Sequence, residues 1–236
     1  MKILIIPDVH GRTFWKKAVE KYTAECDKVI FLGDYLDPYP WECIEDGITR
    51  KSTIDNFKEI MQYKKDNPDK AVLLLGNHDL EYYDKLFITK CRYDSSNAYK
   101  IKQNFGRNRS LFQLAYELDM DKHYLFTHAG VLKSWYEWHK DIIGDFTVEN
   151  LNRLKGFPAG IKILCDVSRE RGGFGRIGSM VWSDILEKGD TEDFDGIYQV
   201  FGHSQQESQP VITKTWACLD CRKAFILNDE GGFIQC

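Results

Sequence analysis

Residues 3–11 read Ile-Leu-Ile-Ile-Pro-Asp-Val-His-Gly, four apolar residues followed by a proline, an aspartate, a histidine and a glycine. Continuous apolar runs of the same kind occur at 29–32 and 71–75. Because these runs do not alternate with polar residues, they are typical of strands covered on both faces. Apolar residues at helical spacing lie between them, at 14–22 and 53–65. This alternation of strands and helices predicts an α/β fold with a mixed sheet.

Further strands are predicted in the second half of the chain. Short runs of β-branched and aromatic residues lie at 124–126 and 197–201. Two more lie at 215–219 and 223–227, and their closeness predicts an antiparallel hairpin.

Two long segments separate the predicted strands. Residues 80–122 are polar and aromatic, with helical spacing of apolar residues at 111–118, and residues 133–196 are rich in glycine, tryptophan and charge. Neither segment has the composition of a linker, and neither contains a second core. We therefore expect one domain over residues 1–236, with excursions at about 80–122 and 133–196.

Composition excludes several classes of protein. The 236 residues include 32 Lys and Arg against 36 Asp and Glu, a net charge of −4, and 43% are hydrophobic. A chain of this kind folds around a core, and its charge argues against dedicated nucleic-acid binding. No apolar run approaches the roughly 18 residues of a membrane span. The seven cysteines are an odd number without a framework spacing, so we expect reduced thiols. Together with the lack of a long apolar run, this predicts no membrane association and a cytoplasmic location.

Polar clusters follow five of the predicted strands directly. Ligands bind at this edge in open α/β sheets, and nearby glycines let the backbone approach them. The nitrogen and oxygen ligand types, with no thiolate, suit Mn²⁺, Fe or Zn²⁺. Six ligand-type residues are enough for two ions about 4 Å apart that share a carboxylate. The clusters contain Asp8 and His10, Asp34 and Asp37, Asn77 and His78, His128, and His203.

The five motifs resemble those of the calcineurin-like metallophosphoesterase superfamily. They read Asp-x-His, Gly-Asp-x-x-Asp, Gly-Asn-His-Asp, His-Ala-Gly and Gly-His-Ser, and they reach from residue 8 to residue 204. Residues 181–184, Val-Trp-Ser-Asp, also resemble a stretch of phosphoprotein phosphatases. The resemblance implies a four-layer α-β-β-α sandwich with mixed sheets. It also implies two metal ions, with Asp34 shared between them: one ion on Asp8, His10 and Asp34, the other on Asn77, His128 and His203.

The expected chemistry is hydrolysis of a phosphate ester by direct attack of hydroxide held between two divalent cations, Mn²⁺ first and Fe or Zn²⁺ as alternatives. His78 is placed to act as general acid for the leaving oxygen, with Asp37 orienting its ring. The resemblance assigns this pair the same roles. The alternative for His78 is a histidine that only supports its neighbour Asn77.

The sequence departs from the pattern at the place of a phosphate-binding arginine. Related protein phosphatases have Arg-Gly beside the second motif, whereas Asp37 is followed here by Pro-Tyr-Pro at 38–40. Arginines that could replace it are Arg171, Arg12 and Arg176, in that order of preference. The alternative for each is a surface arginine.

A second departure concerns the last motif. Many phosphodiesterases of the superfamily have Gly-His-x-His there, but Ser204 and Gln205 follow His203. The first ion would then have three protein ligands, which favours monoesters or pyrophosphate-type substrates over diesters. The expected substrate is a phosphorylated small molecule, a nucleotide or a phosphoprotein.

Two other functions are alternatives to a phosphate-ester hydrolase. One is a dinucleoside polyphosphate or nucleotide pyrophosphohydrolase. The other is a non-catalytic scaffold of the same fold, which the presence of all six ligand types and of the His78–Asp37 pair argues against.

Overall fold

The apolar segment Ile3–Ile6 forms strand β1 in the interior of a sheet. All four of its side chains are buried, because alternate residues face a second sheet on one side and helices on the other. The structure is a computed structural model, and it describes residues 1–87, 92–189 and 192–236.

Strands and helices alternate over the first part of the chain, as the sequence predicts. None of the described helices is both long enough and apolar enough to cross a membrane. The strands are β1 (Ile3–Ile6), β2 (Lys28–Phe31), β3 (Ala71–Leu74), β4 (Phe112–Gln113), β5 (Ala115–Asp119), β6 (His123–Thr127), β7 (Ile197–Phe201), β8 (Val211–Ile212), β9 (Trp216–Cys218), β10 (Phe225–Leu227) and β11 (Phe233–Gln235). The α-helices are α1 (Phe14–Tyr22), α2 (Pro40–Glu45), α3 (Arg50–Asp66), α4 (Asn77–Tyr83), α5 (Ala98–Arg107), α6 (Lys133–Trp138), α7 (Lys140–Ile143), α8 (Val148–Arg153) and α9 (Pro158–Leu164).

The described residues form two mixed sheets. The larger has the order β11-β10-β1-β2-β3-β4, in which β1 to β4 are parallel and β10 and β11 are antiparallel to their neighbours. The smaller has the order β5-β6-β7-β9-β8, with β6, β7 and β9 parallel and antiparallel strands at both edges.

The two sheets pack against each other, and helices cover their outer faces. Ile3 and Ile5 of the larger sheet share a buried cluster with Tyr124 and Phe126 of the smaller one. A second buried cluster joins the outer faces to the helices. The predicted four-layer α-β-β-α sandwich with mixed sheets is confirmed.

The spacing at 111–118 suggests a helix, and this prediction is wrong. Helix α5 ends at Arg107, and the chain then passes from β4 in one sheet to β5 in the other. Asn152 fixes this crossing, since its Oδ1 accepts from the backbone N–H groups of Leu114 (2.6 Å) and Ala115 (3.0 Å). Burial then alternates along β5, the period of a half-buried strand.

The predicted hairpin between 215–219 and 223–227 is also wrong. Strand β9 pairs with β7 and β8, whereas β10 pairs with β1 and β11 in the other sheet. Both strands are largely buried on their two faces, which a free two-stranded hairpin does not provide. The chain therefore crosses between the sheets at 219–224, close to the cluster of polar residues described below.

Lys188 is an unusual buried cation behind the ends of β6 and β7. A Cβ on Gly130 would lie 2.5 Å from Cε of Lys188. The Nζ of Lys188 donates to the carbonyl of Val131 (3.3 Å) and lies 4.9 Å from the ring centre of Phe201. Burial lowers the pKa of Lys188 to about 8, although the carboxylates of Asp193 and Glu192 act in the opposite direction.

This burial predicts a pH dependence of folding. Between pH 8 and 10.5 the unfolded chain keeps a proton on Lys188 that the folded chain has lost, so raising the pH favours the folded state. The free energy of unfolding should therefore rise, relative to Lys188→Met, by at most about 3 kcal/mol across this window, at about 1.4 kcal/mol per pKa unit. Urea unfolding of both proteins from pH 7 to 10.5 measures the difference. Parallel curves would show that Lys188 is charged in the folded state throughout.

Candidate metal centre

The six predicted ligand residues come together at the edge where both sheets end. Asp8 and His10 follow β1, Asp34 follows β2, Asn77 begins α4 just after β3, and the two remaining histidines, His128 and His203, follow β6 and β7. All six are at most 8% exposed. A cavity of about 210 Å³ opens between them. Its lining consists of Asp8, His10, Asp34, Tyr39, Asn77, His78, Arg92, Arg171, Trp182, His203 and Asp220.

Asp34 joins two groups of possible metal ligands. Among the residues that the structure describes, Asp8, His10 and Asp34 form one group, and Asp34, His128 and His203 form the other; the ligand atoms of each group lie within 4.8 Å of one another. Asp34 Oδ2 is 3.5 Å from Nε2 of His10 and 3.5 Å from Nε2 of His128. This carboxylate therefore lies between the two groups.

Backbone carbonyls fix the orientation of two histidine rings. Nδ1 of His10 donates to the carbonyl of Leu36 (2.7 Å), and Nδ1 of His128 donates to that of Leu32 (2.8 Å). A carbonyl only accepts, so Nδ1 carries the hydrogen in each ring. A neutral ring then directs the lone pair of Nε2 into the cluster, which is the form that binds a metal.

Two further polar atoms lie close to His128 Nε2. Asn77 Oδ1 lies 3.0 Å from this nitrogen, and His203 Nδ1 lies 3.1 Å from it. Burial would lower the pKa of His128, but the negative charges of Asp34 and Asp8 raise it to about 10. The two carboxylates thus favour a positive charge at this position, which a divalent cation would supply.

The other two histidines favour the neutral form. Burial lowers the pKa values of His10 and His203 well below their usual range. Burial would raise the pKa of Asp34, but the nearby imidazoles of His128 and His78 hold it well below its usual range. A neutral His10, a neutral His203 and an ionised Asp34 are the ligand forms that divalent cations require.

Two glycines make room for the carboxylates. A Cβ on Gly76 would lie 2.1 Å from Asp34 Oδ1, and one on Gly202 would lie 2.1 Å from Asp8 Oδ1. The glycines seen beside the motifs in the sequence therefore serve close approach of backbone and ligand side chain.

The backbone is strained at the same place. In the described part of the chain, four of the five non-glycine residues with positive φ are His10 (44°), Asp34 (52°), Asp37 (56°) and His203 (65°). Such conformations persist only where the surroundings enforce them, and they concentrate at functional sites.

Asp79 holds the loops after β2 and β3 together, a role that the sequence analysis missed. Its carboxylate accepts from the backbone N–H groups of Asp34 (2.7 Å), Tyr35 (3.0 Å) and Gly76 (2.9 Å). The Gly-Asn-His-Asp motif contains Asp79, but nothing in the local sequence shows that two of its three partners lie 44 and 45 residues away.

His78 and Asp37 form the expected pair beside the ligands. Nδ1 of His78 lies 3.1 Å from Asp37 Oδ2 and 3.3 Å from the carbonyl of Arg92. The hydroxyl of Tyr82 donates to the other oxygen of Asp37 (2.6 Å). Both oxygens of Asp37 are therefore engaged, which fixes the plane of the His78 ring.

Of the three arginines singled out in the sequence, Arg171 lines the cavity. Its Nη2 donates to the carbonyl of His203 (3.1 Å) and to Ser204 Oγ (2.7 Å), and its Nε lies 2.7 Å from Asp184 Oδ2. Asp184 belongs to the Val-Trp-Ser-Asp segment, whose Trp182 packs edge-on against His203. That segment therefore supports the site.

The other two lie elsewhere. Arg12 is buried, but its guanidinium is bound to Glu42 (2.8 and 2.9 Å) and to the carbonyl of Asp8 (3.0 Å). Arg176 is exposed and lines a different cavity, next to Trp138 and His139.

Arg92 lines the cavity and was not predicted. Its Nε donates to the carbonyl of Asp37 (3.0 Å), and its guanidinium lies 3.6 Å from the ring centre of Tyr39. No motif marks Arg92, because it reaches the site from a segment 14 residues beyond His78.

Several buried polar atoms around the cavity have no hydrogen-bond partner among the described residues. They are Arg92 Nη2, Arg171 Nε, Trp182 Nε1, His203 Nε2 and Asp220 Oδ1; Arg171 Nε is near Asp184 Oδ2 (2.7 Å) but lacks hydrogen-bond geometry. Buried polar groups are normally hydrogen-bonded, so these atoms indicate a place for a bound group. The arginine and indole N–H groups would suit an oxyanion, and the imidazole and carboxylate atoms would suit cations. The residues present thus fit a pair of divalent cations.

Solved structures with a similar fold include two phosphatases. A cold-active protein-tyrosine phosphatase of a psychrophilic Shewanella species is 14% identical, with 99% of this chain and 80% of that chain covered and a TM-score of 0.61. A protein serine/threonine phosphatase from Saccharomyces cerevisiae is also 14% identical, with 100% of this chain and 78% of that chain covered and a TM-score of 0.54. At these identities the likeness shows the fold alone.

No curated relative matches the sequence. The family model described as calcineurin-like phosphoesterase, however, matches residues 1–207, which is most of the chain and includes every ligand residue named above. The chain therefore belongs to the calcineurin-like phosphoesterase family.

Proposed function

We propose that this protein hydrolyses phosphate esters with two divalent cations held by Asp8, His10, Asp34, Asn77, His128 and His203. The observation that carries the proposal is the position of Asp34 Oδ2, 3.5 Å from a ring nitrogen in each group of ligands. Two cations bound there would lower the pKa of a water between them and offset the charge of the phosphoryl oxygens.

The ligand chemistry favours Mn²⁺, with Fe or Zn²⁺ as alternatives. All six proposed ligands offer oxygen or nitrogen, and such sites accept these ions. The buried thiol of Cys218 donates weakly to the carbonyls of Gly202 and Ser204 (3.3 Å each) and takes no place among the ligands.

His78 is proposed as the general acid for the leaving oxygen. Because Nδ1 is held by Asp37 and the carbonyl of Arg92, Nε2 is the atom left to deliver a proton. Asp37 would act through His78 by fixing its ring, and Tyr82 in turn fixes Asp37.

Arg92 and Arg171 are proposed to bind the phosphoryl oxygens. Both line the cavity, and Arg92 has a buried Nη2 without a partner among the described residues. The Tyr39 ring and the Asp37 carbonyl hold the guanidinium in place, which lowers the entropy lost when an oxyanion binds. Arg171 was the first choice of the sequence analysis, and Arg92 takes the place of Arg12 and Arg176.

The substrate is proposed to be a phosphate monoester of a small molecule, a nucleotide or a protein. The two fold neighbours named above are phosphatases, which supports a monoester. A nucleotide pyrophosphohydrolase is the second candidate. The intact ligand set and the His78–Asp37 pair weigh against a non-catalytic scaffold.

The first prediction tests the metals. Chelator treatment should abolish hydrolysis of p-nitrophenyl phosphate, and Mn²⁺ should restore it. Asp34→Asn should weaken Mn²⁺ binding at both sites by about tenfold or more, because both lose the shared charge. Asp166→Asn, which removes a carboxylate outside the cavity, serves as control. Full activity of protein with no bound divalent ion would contradict the proposal.

The second prediction concerns proton delivery. His78→Asn should lower turnover of an alkyl phosphate by roughly 10²- to 10⁴-fold, because its leaving oxygen needs a proton. The loss should be much smaller for p-nitrophenyl phosphate, whose leaving group is stable without one. Steady-state kinetics on both substrates, with Mn²⁺ content measured in parallel, gives the comparison. Equal losses would mean that His78 only supports the ligands.

The third prediction concerns Arg92. Arg92→Ala should weaken inhibition by inorganic phosphate by about 10- to 100-fold, the value of one or two charge-assisted hydrogen bonds, and leave Mn²⁺ content unchanged. Arg92→Lys should recover part of the loss. Arg176→Ala, at an exposed arginine of another cavity, should bind phosphate like the wild type. If Arg92→Ala also binds phosphate normally, Arg171 alone recognises the anion.

A further inference from the structure

Asp220 is a buried carboxylate whose partner is missing among the described residues. It lies two residues beyond the end of β9, where the chain crosses from one sheet to the other. It is 4% exposed, it lines the 210 Å³ cavity, and its Oδ1 has no hydrogen-bond partner in the described chain. Neither the motifs nor the proposed function uses it.

Asp220 and Asp8 stand against the same glycine. A Cβ built on Gly202 would lie 2.1 Å from Asp8 Oδ1 and 3.8 Å from the Cβ of Asp220. The backbone around Asp220 is fixed, since Gln206 N–H donates to its carbonyl (2.7 Å) and Leu219 N–H donates to that of Phe201 (2.8 Å). The backbone therefore holds the Cβ of Asp220 near the Asp8 carboxylate.

No lysine or arginine of the described ranges forms an ion pair with Asp220 within 4.0 Å. Arg12 is engaged by Glu42 and the carbonyl of Asp8, and Arg171 by Asp184. Burying an ionised carboxylate beside another one without a partner is costly. A cation between them would remove this cost.

Asp220 is not close enough to all three grouped ligands to bind the same ion together with them. In the searched, described residues, Asp220 is absent from the group of Asp8, His10 and Asp34, whose ligand atoms lie within 4.8 Å of one another. That group offers three protein ligands, fewer than the six that Mn²⁺ takes in octahedral oxygen sites, so water would complete it.

We propose that Asp220 binds, through Oδ1, a water ligand of the cation held by Asp8, His10 and Asp34, and so increases the affinity of that site. This inference rests on the proposed function. Asp220 is then a positioning residue: it touches neither substrate nor protein ligands, and it acts through the water that it orients.

The role gives Asp220→Asn two effects of opposite sign. The metal-free variant no longer buries a carboxyl group beside Asp8 and should be as stable as the wild type or more so. The same change should weaken Mn²⁺ binding at one of the two sites by about 10- to 100-fold, the usual effect of removing an outer partner of a metal ligand. A purely structural Asp220 predicts the reverse: a less stable metal-free protein with unchanged Mn²⁺ affinity.

Calorimetric Mn²⁺ titration of metal-depleted protein, with thermal unfolding before and after loading, separates these cases. Asp220→Ser gives a second variant of different shape, and Asp166→Asn is the matched control, expected to bind both ions normally. Unchanged Mn²⁺ affinity in both Asp220 variants, or failure of both to fold, would overturn the role of Asp220 and leave the proposed function intact. A wild type that binds no divalent cation would overturn both.

Discussion

The carboxylate of Asp34 is the contact on which the organisation of the site depends. Its residue has φ of 52°, and its backbone N–H is bound by Asp79 while its Oδ1 accepts from the N–H of His78 (3.0 Å). These bonds place Oδ2 between His10 and His128, which follow strands of different sheets. A single buried carboxylate thus contacts loops at the ends of both sheets. The packing of the two sheets against each other sets the distance between these loops.

The sandwich explains why such a cluster can exist. Both sheets contain parallel strands, and their carboxyl ends reach the same edge, so loops after β1, β2, β3, β6 and β7 meet there. Each strand is buried on two faces, which supplies a rigid base. That base can hold four residues at positive φ, and it keeps Asn77 Oδ1 and His203 Nδ1 close to His128 Nε2.

The sequence was informative where a local pattern carries the structure. Strand β1, helix α1 and strand β7 have the predicted bounds or nearly so, since a buried strand needs an apolar run and an amphipathic helix its own period. It failed where distant partners decide: β9 and β10 are neighbours in the chain but lie in different sheets, and Asn152 turns an apparent helical period into β5. Arg92 and Asp220 were missed for the same reason, because each reaches the cavity from a segment without a motif. Arg12, in contrast, lies beside a motif, but its guanidinium is bound by Glu42.

The unpaired atoms of the cavity connect binding to stability. Among the residues that the structure describes, Arg92, Trp182, His203 and Asp220 each have a buried polar atom without a hydrogen-bond partner, and leaving such atoms unsatisfied costs folding free energy. Cations satisfy the carboxylate and imidazole side of this set, and an oxyanion satisfies the arginine and indole side. Since ligands that bind only the folded state stabilise it by mass action, the same atoms that make the site reactive also couple its occupancy to the folding of both sheets.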